Sequence, residues 1–164
     1  MRKCIVVCFI LVFVVPCSLS QTFLEDFDDI NTLSDWFFQN NSASPNQNWH
    51  QGDATQFVSH QGPSNSFIGV GYQSSSASIP VTLSNWAISP SRTFNNGDII
   101  TFYTRRIDAS PVFPDRLEVR LSEDGNNFNI GFSPEDVGTF TTVLLSANPT
   151  LSTSGYPSTW TQYT

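Results

Sequence analysis

All three cysteines of this chain, Cys4, Cys8 and Cys17, lie before residue 21, so whatever the remainder folds into must hold together without them. The stretch that carries them has the order of a secretion signal. Arg2 and Lys3 form a positive n-region, Ile5 to Val15 is an unbroken apolar run, and Pro16 ends it. Ser18-Leu19-Ser20 then supplies the small residues that a signal peptidase accepts at −3 and −1, which places cleavage between Ser20 and Gln21. The alternative, a retained membrane anchor, needs roughly 20 apolar residues, and this run is about a dozen long. A lipid on Cys17 would follow Pro16, a poor match to the small residue such sites want. The exported chain, residues 21–164, is expected to be one domain, free of disulfides and, with Lys3 gone, free of lysine.

Cleavage also removes Arg2 and Lys3, which moves the formal charge from −7 to −9. That balance argues against nucleic acid, whose phosphates require basic neutralisation, and against anionic membrane surfaces. It is compatible with a divalent cation, because carboxylates are hard oxygen ligands, and equally with a solubilising acidic surface. No later segment is apolar enough to span a bilayer.

After residue 21 no helical periodicity is sustained. Short alternating runs recur instead between turn residues, the pattern of an all-β sandwich or barrel. Ile99 to Arg105 alternates after the Asn95-Asn96-Gly97-Asp98 turn. Arg116 to Leu121 is the clearest strand, with Leu117, Val119 and Leu121 expected on a buried face and Arg116, Glu118 and Arg120 on an exposed one. Phe140 to Leu145 and Trp160 to Tyr163 read as further strands, and Gln39 to Asn48 as a polar loop. At the start, Phe23, Glu25 and Phe27 share one face if the segment is extended.

These residues reach a resemblance. Phe23-Leu24-Glu25-Asp26-Phe27 with Trp36, Asn48-Trp49-His50-Gln51-Gly52, Gly62-Pro63-Ser64-Asn65-Ser66-Phe67-Ile68 and Asn85-Trp86-Ala87-Ile88-Ser89-Pro90 follow one another in order. Thr101-Phe102-Tyr103-Thr104-Arg105, Pro114 to Ser122 and Gly155-Tyr156-Pro157-Ser158-Thr159-Trp160 complete the series. Each motif alone is weak, but the ordered set is similar to the choice-of-anchor J domain, a secreted module related to the cleaved adhesin domains of gingipain-type proteases. The resemblance implies an antiparallel jelly-roll β-sandwich of the galactose-binding-like or MAM-like kind, and adhesion or ligand binding rather than catalysis. Such domains run on past the Gly-Tyr-Pro…Trp segment, so the expectation is a sandwich incomplete at its C-terminus, lacking its closing strands.

Relatives of that kind carry a structural calcium near the end of the first strand. Glu25 and Asp28 match its acidic positions best, and Asp53 is a loop candidate. A solvated acidic turn is the alternative. Arg116, Glu118 and Arg120 on one strand face read either as a cross-strand charge ladder or as a patch for acidic glycans or carboxylate ligands. Trp36, Trp49, Trp86 and Trp160 are core residues, or sugar-stacking platforms if exposed. Asn40-Asn41-Ser42 is a glycosylation sequon, with meaning in a eukaryotic secretory pathway.

Against catalysis stand the missing G-x-S-x-G elbow, the missing H-E-x-x-H, the lack of any thiol after cleavage, and only His50 and His60 as imidazoles. The expected function is a secreted, non-catalytic binding module for a glycan or an extracellular protein. A spacer domain of a larger extracellular protein, or an accessory domain of a secreted hydrolase, is the alternative. N-terminal sequencing of exported protein should begin at Gln21 or within a residue or two of it. Recovery of an intact Met1 form embedded in membrane would contradict the cleavage reading.

Overall fold

The computed structural model describes residues 22–78 and 80–164; the expected signal, residues 1–20, lies outside them. Among the described residues the regular elements are eight strands and two 3-10 turns, Ile30–Thr32 and Tyr72–Ser74. The strands are β1 (Phe37–Asn40), β2 (His50–Gln51), β3 (Ile68–Gly69), β4 (Asn85–Ile88), β5 (Phe102–Thr104), β6 (Leu117–Leu121), β7 (Thr142–Ala147) and β8 (Thr161–Tyr163). Every pairing is antiparallel, and the protein is all-β. β1 pairs with β4 and β2 with β3; β5 pairs with β8 and β6 with β7. An inner pair is thus nested within an outer pair, twice. First beside fourth and second beside third are neighbours that a Greek key also brings together.

The expected strands at the end of the chain are present with shifted bounds. β5 keeps only the second half of the Ile99–Arg105 run, and Ile99 and Ile100 are exposed ahead of it. β7 begins two residues after Phe140. The expected extended start is absent: residues 22–29 form no strand, and Phe27 has φ of 55°, which ends the alternation of Phe23, Glu25 and Phe27. The first four residues of ordered pairing come instead from Phe37–Asn40, half of which the sequence assigns to a loop.

β6 corrects a second expectation. Arg116, just before the strand, is exposed as expected, but all five strand residues, Glu118 and Arg120 included, are half-buried. On the polar side, Arg120 donates through Nε to Glu118 Oε2 at 2.7 Å and through a terminal nitrogen to the Phe140 carbonyl at 3.1 Å, so its side chain lies down along the sheet. On the apolar side, Val119 opens onto a groove of about 270 Å³ shared with Ile100, Phe102 and Leu145. The partner strand adds a β-bulge. Leu145 lies opposite Val119 and Val143 opposite Arg120, which leaves Leu144 extra, and both Val143 and Leu144 are exposed.

Strands this short leave many backbone groups outside any ladder, and amide side chains take them up. Gln51 accepts from Ile30 N–H at 2.7 Å and donates to the carbonyls of Phe27 (2.8 Å), Asn65 (2.6 Å) and Phe67 (3.3 Å). Buried Asn41 donates to the carbonyls of Ile130 (3.4 Å) and Gly131 (3.1 Å), joining β1 to the second half of the chain. Buried Asn148 donates to the carbonyls of Asp115 (2.7 Å) and Ser152 (2.8 Å) and accepts from Ser152 N–H (3.0 Å). A side chain at Gly155 would collide with the Asn148 amide, so this contact requires glycine there.

Apolar contacts join the same two halves. Trp160 meets Phe57 and Phe67 edge-on at 5.7 Å, and its indole N–H donates to the Val58 carbonyl at 2.9 Å. His60 stacks on Tyr103 with ring centres 3.6 Å apart. Trp86 packs against Phe140 at 5.6 Å. Phe67, Ile88, Ile130, Ala147 and Tyr156 are buried, together with the polar Asn41, Ser42, Ser66, Ser74, Thr104 and Asn148.

Replacing Gln51 by alanine strands the Ile30 N–H and the Phe27 carbonyl, both partly shielded from water, while the Asn65 and Phe67 carbonyls keep the N–H groups of Phe67 and Gly52. The expected cost is about 2 kcal/mol, and Gln51→Glu should cost as much because a carboxylate cannot donate to carbonyls. Urea unfolding midpoints measure both; a Gln51→Ala midpoint equal to the parent's would exclude this role.

Tyr156 supplies a second test. Its hydroxyl is 2.7 Å from Thr104 Oγ1, and burial pushes its pKa up to about 12 from an ordinary 10.0, against the Thr104 hydrogen bond, which lowers it. Between those values the unfolded chain releases the phenolic proton and the folded chain keeps it, so stability falls as pH rises from 10.0 towards about 12. Tyr156→Phe should cost about 1 kcal/mol at neutral pH and flatten that alkaline decline, as read from melting temperatures across the window.

Candidate functional site

The site is built where β1 enters its sheet. Asp29 caps the Ile30–Thr32 turn by accepting from Asn31 N–H at 2.9 Å, and Trp36 N–H donates to the Leu33 carbonyl at 3.0 Å. That turn delivers Asp35, Trp36 and Phe37 to the start of β1. Trp36 lies edge-on to Phe27 at 5.3 Å and stacked with Phe38 at 6.2 Å. Neighbours in a strand point to opposite faces, so with Phe38 against Trp36 the ring of Phe37 is turned the other way and is exposed. Phe37 pairs with Ile88, which brings Pro90 and Ser91, just past β4, alongside it.

The opposite wall comes from the loop after β6. Asn127 Nδ2 donates to Asp124 Oδ2 at 3.0 Å, and Asn129 N–H to Asn127 Oδ1 at 2.8 Å. These local bonds hold the loop so that Phe128 stacks on Phe37, ring centres 5.3 Å apart and planes 29° apart. Phe128 is also exposed. The result is an open groove of about 480 Å³ with Asp35, Trp36, Phe37, Pro90, Asn126 and Phe128 among its walls. The stacked phenyl pair, a carboxylate and an amide all line it. Such a surface can take a flat, partly apolar ligand on the rings and hydrogen-bond its rim.

The residues expected from the sequence lie elsewhere and are used differently. Glu25 Oε1 accepts from Phe27 N–H at 3.1 Å, and Asp28 Oδ1 from the Ser66 hydroxyl at 2.5 Å. Asp53 accepts from the Thr55 hydroxyl (2.6 Å) and N–H (2.9 Å), and these bonds, the hydroxyl first, hold its carboxyl below the usual carboxylate range. Glu25 and Asp53 brace their own segments, and Asp28 ties its segment to Ser66. Among the described residues no three His, Cys, Asp or Glu side chains gather as a ligand set.

Arg116, Glu118 and Arg120 do come together, as the ladder rather than as a free patch. Glu118 lies 2.7 Å from Arg120 and 3.5 Å from Arg116, Arg120 also donates to the Phe140 carbonyl, and Arg116 is exposed. Asn40, the sequon asparagine, is engaged within the fold. Its amide nitrogen donates to the carbonyls of Gln47 (2.5 Å) and Ser74 (2.6 Å), and Ser42 of the sequon is buried. Trp36, Trp49, Trp86 and Trp160 are all half-buried, and Trp36 alone among them lines the groove.

Sequence reasoning did not assemble this groove, because its residues come from three separate segments. The available signal was Trp36-Phe37-Phe38: three consecutive aromatics cannot all face one core from a strand. Among the described residues no helix is long and apolar enough to cross a membrane. Compared with known families, curated proteins and solved structures, the chain has no match in any of the three.

Proposed function

We propose that the protein is a secreted, non-catalytic binding module of the jelly-roll sandwich type, and that its groove beside β1 binds carbohydrate. The observation that carries this reading is the exposed Phe37–Phe128 stack with Asp35 and Asn126 at its rim. A pyranose ring has an apolar C–H face, which suits a phenyl platform, and an edge of hydroxyls, which suits carboxylate and amide acceptors. Eight short strands, every pairing antiparallel, support an all-β architecture. The ordered motifs shared with choice-of-anchor J domains support export and ligand binding together.

Glycan-array binding followed by calorimetric titration of the secreted protein tests the reading. Phe37→Ala and Phe128→Ala should each weaken the best oligosaccharide about tenfold, equivalent to about 1.4 kcal/mol, with little change in melting temperature because both rings are exposed. Absence of any glycan binding, or affinity indifferent to both truncations, rules the groove out as a sugar site.

A further inference from the structure

We propose that the ligand of this groove is an amino sugar polymer, a glycan whose free amines carry positive charge; the inference rests on the carbohydrate reading above. The charge inventory of the exported chain leads to it. Every arginine after the signal is already engaged. Arg92 lies over the Phe23 ring at 4.1 Å, and Arg105 over Phe57 at 4.3 Å while donating to the Ser158 carbonyl. Arg106 donates to the Ile107 carbonyl at 2.7 Å and pairs with Asp108 at 4.0 Å. Arg116 and Arg120 converge on Glu118. None of these guanidinium groups lines the groove.

The groove itself carries one charge, and it is negative. Asp35 is exposed on the wall, and no ion pair reaches it among the described residues. Arg92, next in the chain to the groove residue Ser91, lies over the Phe23 ring and is not among the groove's walls. A protonated amine on a sugar ring seated over Phe37 and Phe128 finds in Asp35 the partner that the protein does not provide. The neutral rim acceptor, Asn126, leaves the charge recognition to that single carboxylate. The net charge of −9 after cleavage draws a polycationic glycan to the surface in the same direction.

The test titrates the secreted protein at about pH 5.5, where the sugar amine holds its proton, with four probes: a glucosamine tetramer, a glucose tetramer of the same linkage, a galacturonate tetramer and spermidine. The glucosamine tetramer should bind about fivefold tighter than the glucose tetramer, the gain an exposed ion pair supplies. Asp35→Asn should bring the two sugars level, and so should raising salt from about 0.05 to about 0.5 M. Phe128→Ala should weaken both sugars alike. If glucose binds as tightly as glucosamine in the parent protein, or galacturonate binds best, the amine assignment is overturned while sugar binding stands. If spermidine competes as well as the glucosamine tetramer, the site reads charge alone and the amino sugar assignment is overturned. If no sugar binds, both the inference and the carbohydrate reading fall.

Discussion

Backbone hydrogen bonding without long ladders is the constraint around which this protein is organised. Its strands are two to six residues long. Most of the chain between them must satisfy its N–H and C=O groups some other way, because a buried peptide group left unpaired is costly. The solution is a set of amide side chains at segment junctions. Gln51 gathers Phe27, Ile30, Asn65 and Phe67; Asn41 reaches Ile130 and Gly131; Asn148 gathers Asp115 and Ser152. A primary amide suits the task because it donates twice and accepts twice at one point in space. Among the buried side chains Asn41, Ser42, Ser74 and Asn148 finish the backbone's hydrogen bonds.

The legible parts of the fold were those governed by local pattern. β6 and β8 were found because Leu117-Glu118-Val119-Arg120-Leu121 and Thr161-Gln162-Tyr163 alternate and are bounded by turn residues. Their existence follows from period-two alternation, but depth of burial does not. Glu118 and Arg120 neutralise one another and lie flat, while Val119 is left at an open groove, so the two faces come out alike. β2 and β3 escaped notice because two residues carry no periodicity; their pairing rests on Gln51 and on the contacts of Phe67, not on a strand pattern. The N-terminal segment was misread for a similar reason. Phe23, Glu25 and Phe27 alternate in sequence, yet the left-handed backbone at Phe27, with the Glu25 and Asp28 side chains bracing it, makes the segment a turn.

The groove was illegible because it is a product of assembly. Asp35 and Phe37 come from one segment, Pro90 and Ser91 from a second, and Asn126 and Phe128 from a third, and nothing in the spacing of these residues joins them before the chain folds. The charged residues that looked functional in the sequence did so because they are conspicuous there. In three dimensions Glu25, Asp28, Asp53 and Glu118 each accept a hydrogen bond or an ion pair within the fold. The groove is lined by two phenylalanines, an asparagine and an aspartate among others, residue types common enough to pass without remark.

The nested pairing has a consequence in time. Closing a loop costs more entropy the longer it is, so β2 meets β3, and β6 meets β7, at lower cost than the outer pairs that enclose them. Once an inner pair has closed, the effective span between its outer partners is shorter. The first nest can pair fully once Ile88 is available. The second stays open until Phe102 finds Tyr163. A chain of this design assembles in two instalments, and its slow step belongs to the later one.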